Sequence, residues 1–161
     1  MPDQHDFLLG EVARSLDERY RVSIPGEMVD WLSAAGGDLT LAKEQPGCLS
    51  LWAAPIWQSK LEEGIELVRS KMKAGRLEGK VEEVQLLGRL LSTRHTQVRL
   101  AGRGRLLIPE GFREFLGVEP GGDVMIVGAA LCMEIWNPSR WITYLEDRMP
   151  QFRQLLDRLS G

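Results

Sequence analysis

Four arginines stand in two matched pairs, Arg19 with Arg21 and Arg103 with Arg105. Each pair leads into a short apolar run closed by proline: LDERYRVSIP at 16–25 and LAGRGRLLIP at 100–109. A guanidinium is a planar, permanently charged fork. It can grip a phosphate, or the O6 and N7 edge of guanine, through paired hydrogen bonds. Arg21 and Arg105 begin a strand two residues after Arg19 and Arg103, a spacing that puts each pair on one face. The chemistry this suits is recognition of duplex DNA. The plain alternative is a solvated hairpin tip, where charged residues contact only water. Arg14 and Arg99, on the strands entering the two turns, either widen the patch or blunt an edge strand.

The residues around the arginines differ between copies. Asp17 is placed to cap its turn through backbone N–H groups and to hold Arg21 in an ion pair. Ala101 takes its place in the second copy and leaves Arg105 without that brace. Gly102 and Gly104 are expected to supply the positive φ of a tight turn. Tyr20 cannot adopt that conformation cheaply, so it is expected to stack on a neighbour or a sugar instead. The chain carries a net charge of −3, but TRHTQVRLAGRGR at 93–105 holds four arginines and no acid. A basic patch on an acidic body is the pattern this gives.

The two turns belong to an internal duplication. Sliding the sequence by 84 aligns 16–63 with 100–147 without a gap and matches twelve of 48 positions. Among them are Cys48 with Cys132, Trp52 with Trp136 and Trp57 with Trp141, too specific a set for chance. Each copy reads as strand (10–15; 95–100), turn (17–20; 101–104), strand (21–24; 105–108) and a short helix opened by proline. Met28, Trp31, Leu32 and Ala35 mark the buried face of the first such helix, and Phe112, Phe115 and Leu116 that of the second. Two further strands follow, 38–42 with 48–52 and 123–127 with 132–136, the first pair joined at Pro46-Gly47. Longer helices close the copies. One starts at Pro55 with Trp57, Leu61, Ile65, Val68 and Met72 on one face, and the other covers 138–148. A helix at 77–91 lies between the copies. Pro150 should break the last helix before an amphipathic tail with Phe152, Leu155, Leu156 and Leu159. Neither half buries enough to stand alone, so the two are expected to join as one pseudo-twofold small barrel or sandwich with the helices outside.

Several function classes find no support. The longest apolar run, 124–132, is too short to span a bilayer, and MPDQHDFLLG does not read as a secretory leader; the expectation is a cytoplasmic protein. Cys48 and Cys132 read as buried strand residues. With His5 and His95 as the imidazoles and no Cys-x-x-Cys, no zinc site is expected. No phosphate-binding loop or nucleophile elbow is present, so the chain reads as a non-enzyme without cofactor, metal or small-molecule substrate.

These features resemble the MraZ family of bacterial transcriptional regulators, a duplicated form of the AbrB-like swapped-hairpin fold. AGRGRLLIP at 101–109 follows the family's D-G-x-G-R-L-L-I-P apart from its leading acid. Asp17 and Arg21 keep the Asp-x-x-x-Arg of the first copy, with Tyr20 where the family usually has glycine. The segments CLSLW…W at 48–57 and CMEIW…W at 132–141 also fit. The resemblance implies an α+β fold of two tandem AbrB-like β-hairpin repeats forming a small pseudo-twofold β-barrel with peripheral helices. On that reading residues 7–75 are repeat 1 with its closing helix, 76–92 an inter-repeat helix, 93–148 repeat 2 and 149–161 a helical tail. It further implies a nucleoid-associated, ring-shaped homo-oligomer. Such a ring would bind double-stranded DNA at repeated boxes upstream of a cell-division and cell-wall gene cluster. The alternatives are an oligomeric scaffold or partner-binding protein that has lost DNA binding, and an AbrB-like antitoxin, against which the duplication argues.

Overall fold

The computed structural model describes residues 6–34 and 36–161. His5 and Ala35 lie outside the described residues. In chain order the strands are β1 (Glu11–Ser15), β2 (Arg21–Ser23), β3 (Leu39–Gln45), β4 (Cys48–Ala53), β5 (His95–Val98), β6 (Arg105–Leu107), β7 (Asp123–Gly128) and β8 (Met133–Trp136). Six form one antiparallel sheet in the order β1-β7-β8-β4-β3-β5, while β2 and β6 pair separately as a two-stranded ribbon. The fold is therefore α+β with antiparallel sheets, but the sheet does not close into the expected barrel. Among the described residues β1 and β5 are the edge strands of this sheet, and β2 and β6 pair with each other rather than with it.

Read from either edge, the order visits strands whose sequences correspond at the offset of 84: β1 answers β5, β7 answers β3 and β8 answers β4. The first strand of each half is hydrogen-bonded into the other half, β1 onto β7 and β5 onto β3.

Alternation of side chains fills both faces of the sheet. Leu39, Leu41, Leu49, Leu51, Ile126 and Ile135 point into the main core, where Val22, Ile24, Leu106 and Ile108 of the ribbon segments meet them. On the opposite face Cys48 packs with Trp136, and Cys132 with Trp52 and Trp57. Both cysteines are free, and burial pushes their thiols well above the ordinary thiol range.

Helices α1 (Gly26–Ser33) and α4 (Glu110–Leu116) each follow a proline that serves as N-cap. Met28, Trp31 and Leu32 of α1 and Phe112 and Leu116 of α4 are buried; Gly117 ends α4 in the left-handed region at φ 73°. In α2 (Ala54–Lys73) Trp57 alone is buried, and Leu61, Ile65 and Val68 are half-buried. The inter-copy helix α3 (Val81–Arg94) starts later than expected and buries no residue. Gly75 and Gly79, at φ 71° and 80°, hold Leu77 in turns ahead of it. α5 (Pro138–Arg148) is capped by Asn137, whose side chain accepts from the Ser139 amide. Pro150 sits in a single 3-10 turn (Met149–Gln151) that separates α5 from an exposed α6 (Phe152–Ser160). No helix among the described residues is long and apolar enough to cross a membrane.

Candidate nucleic-acid interface

The ribbon joins the two arginine turns, which the sequence treats as separate features. β2 and β6 run antiparallel with Arg21 opposite Leu107, Val22 opposite Leu106 and Ser23 opposite Arg105. Val22 and Leu106 face the core, so Arg21, Ser23, Arg105 and Leu107 lie on the outward face. The ribbon extends at both ends through amide bonds, from Ile108 N–H to the Tyr20 carbonyl (2.8 Å) and from Ile24 N–H to the Gly104 carbonyl (2.9 Å). The turns therefore flank the ribbon at opposite ends. Tyr20 and Gly104 are four strand steps apart, about 14 Å along the ribbon.

Turn one is held by its aspartate. Asp17 Oδ1 accepts from the amides of Arg19 (2.8 Å) and Arg21 (2.9 Å), and Oδ2 accepts from Arg21 Nε (2.9 Å). The bond from the Arg21 amide, opposed by desolvation and reinforced by the Arg19 amide and the Arg21 guanidinium, holds the Asp17 carboxyl below its usual range. The chain turns through the Tyr20 N–H to Asp17 carbonyl bond (3.1 Å), then passes through Tyr20 at φ 60°. Tyr20 thus does enter the left-handed conformation, contrary to expectation. The stacking partner is protein: the Arg113 guanidinium lies 4.2 Å from the ring centroid, and its Nε donates to the Ile108 carbonyl (2.8 Å).

Turn two lacks the acid and takes a different path. The Gly104 amide donates to the Ala101 carbonyl (3.1 Å), and Ala101 bridges to Arg105. The left-handed residues are Arg103 (φ 65°) and Gly104 (φ 73°); Gly102, expected to share this role, is not among them. Gly104 is required sterically as well, since a Cβ there would meet Val29 Cγ2 at 2.8 Å. Arg103 and Arg105 are exposed.

Among the described residues Arg19, Arg103 and Arg105 make no ion pair, whereas Arg21 is paired with Asp17. Turn one with its two acids sums to zero charge, and turn two to +2. The rest of the acid-free segment 93–105 is less basic than it reads. Arg94 pairs with Glu44 (3.3 Å) and Arg99 with Asp38 (2.9 Å), acids brought from β3 and the residue before it. Arg14 lies on edge strand β1 and, among the described residues, reaches only the neighbouring Ala13 carbonyl (3.4 Å). His95 packs against Trp57, with ring centroids 5.5 Å apart. Among the described residues no cluster of His, Cys, Asp and Glu could hold a metal.

Sequence reasoning missed Arg113 and Leu107. Nothing local links Arg113 to Tyr20. The exposure of Leu107 follows from period-2 alternation in RLLI, which places Leu106 and Ile108 inward and Leu107 outward.

A model of the family described as "MraZ protein, putative antitoxin-like" matches residues 92–159. Over longer spans the chain is similar to proteins named Transcriptional regulator MraZ. It is 31% identical over 138 residues to that of Thermus thermophilus, covering 86% of this chain and 87% of the relative. It is 32% identical over 154 residues to that of Methylobacillus flagellatus, covering 94% and 96%. It is 26% identical over 153 residues to that of Syntrophomonas wolfei, covering 95% and 96%.

Proposed function

The chain belongs to the MraZ family of transcriptional regulators, and we propose that it acts by placing the β2–β6 ribbon and its two turns against duplex DNA. The observation that supports this reading is the ribbon itself, which carries Arg21 and Arg105 on its outward face and the turns bearing Arg19 and Arg103 at its two ends. A two-stranded ribbon fits the major groove, which is about 12 Å wide. Exposed arginines at its ends reach the flanking phosphates, which position a protein on the duplex, while those on its face reach base edges. Turn two, with no acid, makes the closer contact. In turn one Asp17 fixes the Arg21 guanidinium before DNA arrives.

The mirrored strand order supports reading the chain as two fused AbrB-like hairpin repeats whose first strands are exchanged, with 7–75 and 93–148 as the repeats, 76–92 between them and 149–161 as a tail. Exposed Leu67, Leu86, Leu90, Phe152, Leu156 and Leu159 on α2, α3 and α6 support assembly with further copies. In a ring the modest charge of one ribbon is offset by effective concentration, provided the DNA boxes repeat at the subunit spacing. The targets are repeated boxes upstream of a division and cell-wall gene cluster. Arg14 and Arg99 are peripheral in this scheme.

The neutral charge of turn one favours a second reading, an oligomeric scaffold without DNA affinity. A salt series on duplex DNA from upstream of the protein's own gene separates the two. The DNA reading expects log affinity to fall linearly with log salt, and Arg103→Ala/Arg105→Ala to weaken binding and to reduce that slope by about one, through the phosphate contact of Arg103. Wild type that binds nothing even at low salt selects the scaffold.

A further inference from the structure

The outward face of the ribbon is matched in its arginines and unmatched between them. Arg21 and Arg105 correspond at the offset of 84, as do Ser23 and Leu107. The flanking amide bonds at Tyr20–Ile108 and Gly104–Ile24 set the alternation of the ladder. Arg21/Leu107 and Ser23/Arg105 are then the non-hydrogen-bonded pairs, whose side chains approach closely. The diagonal from Arg21 to Arg105 is about 7–8 Å between Cα atoms. Leu107 stands beside that diagonal with half its surface in solvent, while Leu106 and Ile108 are fully buried.

Single exposed leucines are common and need no function. Leu107 differs in its company, since the other three outward residues are two arginines and a serine, each able to hydrogen-bond DNA. In the major groove each base pair shows donors and acceptors, and thymine alone adds an apolar feature, its C5-methyl group. An arginine fork on a guanine holds the strands at the depth of the base edges. An aliphatic side chain directly across from that arginine then meets the edge of a nearby base. There it gains from a methyl group and loses from a polar edge left unpaired.

We infer that Leu107 reads a thymine methyl next to the base contacted by Arg21, so that it sets sequence preference rather than overall affinity. This rests on the DNA-binding reading above. Ser23, the corresponding residue at the other end, bonds donor or acceptor alike and carries no such preference.

The test uses the DNA upstream of the protein's own gene in two forms, one with thymine and one with deoxyuridine throughout, which lacks the methyl. Wild type is expected to bind the thymine form about fourfold more tightly for each methyl contacted, the factor one buried methyl group is worth. Leu107→Ser should bind both forms equally and keep the wild-type salt slope, because its phosphate contacts are unchanged. Leu107→Met retains an apolar tip and should retain the preference. Thermal unfolding of each variant confirms the fold at this half-exposed site. Wild type that binds DNA but does not distinguish the two forms overturns the inference and leaves the function standing. So does a preference that Leu107→Ser keeps. Wild type that binds neither form overturns the function and the inference with it.

Discussion

The guanidinium of Arg113 lies 4.2 Å from the ring of Tyr20, although one belongs to α4 and the other to a turn in the opposite half of the chain. The contact closes over a residue at φ 60°, a conformation that costs a non-glycine residue about 1–2 kcal/mol. A cation over an aromatic ring at a partly exposed site returns about 0.5–1 kcal/mol. The two terms nearly cancel. Tyr20→Gly should therefore change stability by less than about 1 kcal/mol, relieving the backbone as it removes the ring. Tyr20→Val keeps the strain, adds β-branching and loses the ring, and should cost about 2 kcal/mol or more. Urea unfolding midpoints for the pair decide the matter; equal midpoints would refute the offset.

The two glycines of the second turn should respond oppositely. Gly104 lies at φ 73°, and a Cβ there would stand 2.8 Å from Val29 Cγ2. Gly104→Ala is expected to cost about 1–3 kcal/mol. Around Gly102 a Cβ would meet nothing within 4 Å, and the residue is outside the left-handed region. Gly102→Ala should be neutral or stabilise by up to about 1 kcal/mol, through the unfolded chain. Thermal melts of both variants provide the comparison.

Asp17 ties stability to pH in one direction. Its carboxyl, ordinarily near 3.8, is lowered in the folded protein by the Arg21 amide first and then by the Arg19 amide and the Arg21 side chain. A lowered carboxylate stabilises the fold above its unfolded value, and the contribution disappears as pH falls through the folded value. Asp17→Asn should accordingly be less stable than wild type at pH 7, with the gap narrowing toward pH 3. Chemical denaturation at the two pH values measures it, and a constant gap would contradict the assignment.

Glu134 on β8 behaves in the opposite sense. Burial raises its carboxyl above the ordinary 4.5; the Trp136 indole, donating to Oε1 at 3.0 Å, opposes this, and the nearby Glu44 adds to it. A raised carboxyl stabilises the fold below its unfolded value, and that contribution is lost as pH rises through the folded value. Glu134→Gln keeps an acceptor for Trp136 without the charge. It should unfold at higher urea than wild type at pH 8 and at the same urea near pH 4.

Much of the architecture is written locally. Prolines 25, 109 and 138 open helices because each needs no N–H there. The alternation in CLSLW and RLLI assigns inward and outward faces, and the matched tryptophans recur at the offset of 84. The pairing of strands is another matter. That β1 should join β7, and that β2 should join β6, depends on residues far apart in the chain, from Ser23 with Arg105 to Glu11 with Val127, and no local pattern encodes it. The barrel expectation failed for that reason. The charge of 93–105 misleads in the same way, because Asp38 and Glu44 arrive from elsewhere to pair with Arg99 and Arg94. Backbone preference argues against a left-handed Tyr20, and the stacking on a neighbour that the sequence also suggests is supplied by Arg113, which no local pattern links to it.

The exchange of first strands also has a history within each synthesis. β1 leaves the ribosome with no neighbour to bond, since its partner β7 follows about a hundred residues later. At roughly 5–20 residues per second this is a wait of about 5–20 s. The nascent first half must carry an unpaired edge for that interval, and folding cannot finish one half before the next begins. β1 works as a latch that only the far half can close, and a stall between the two copies would strand it open.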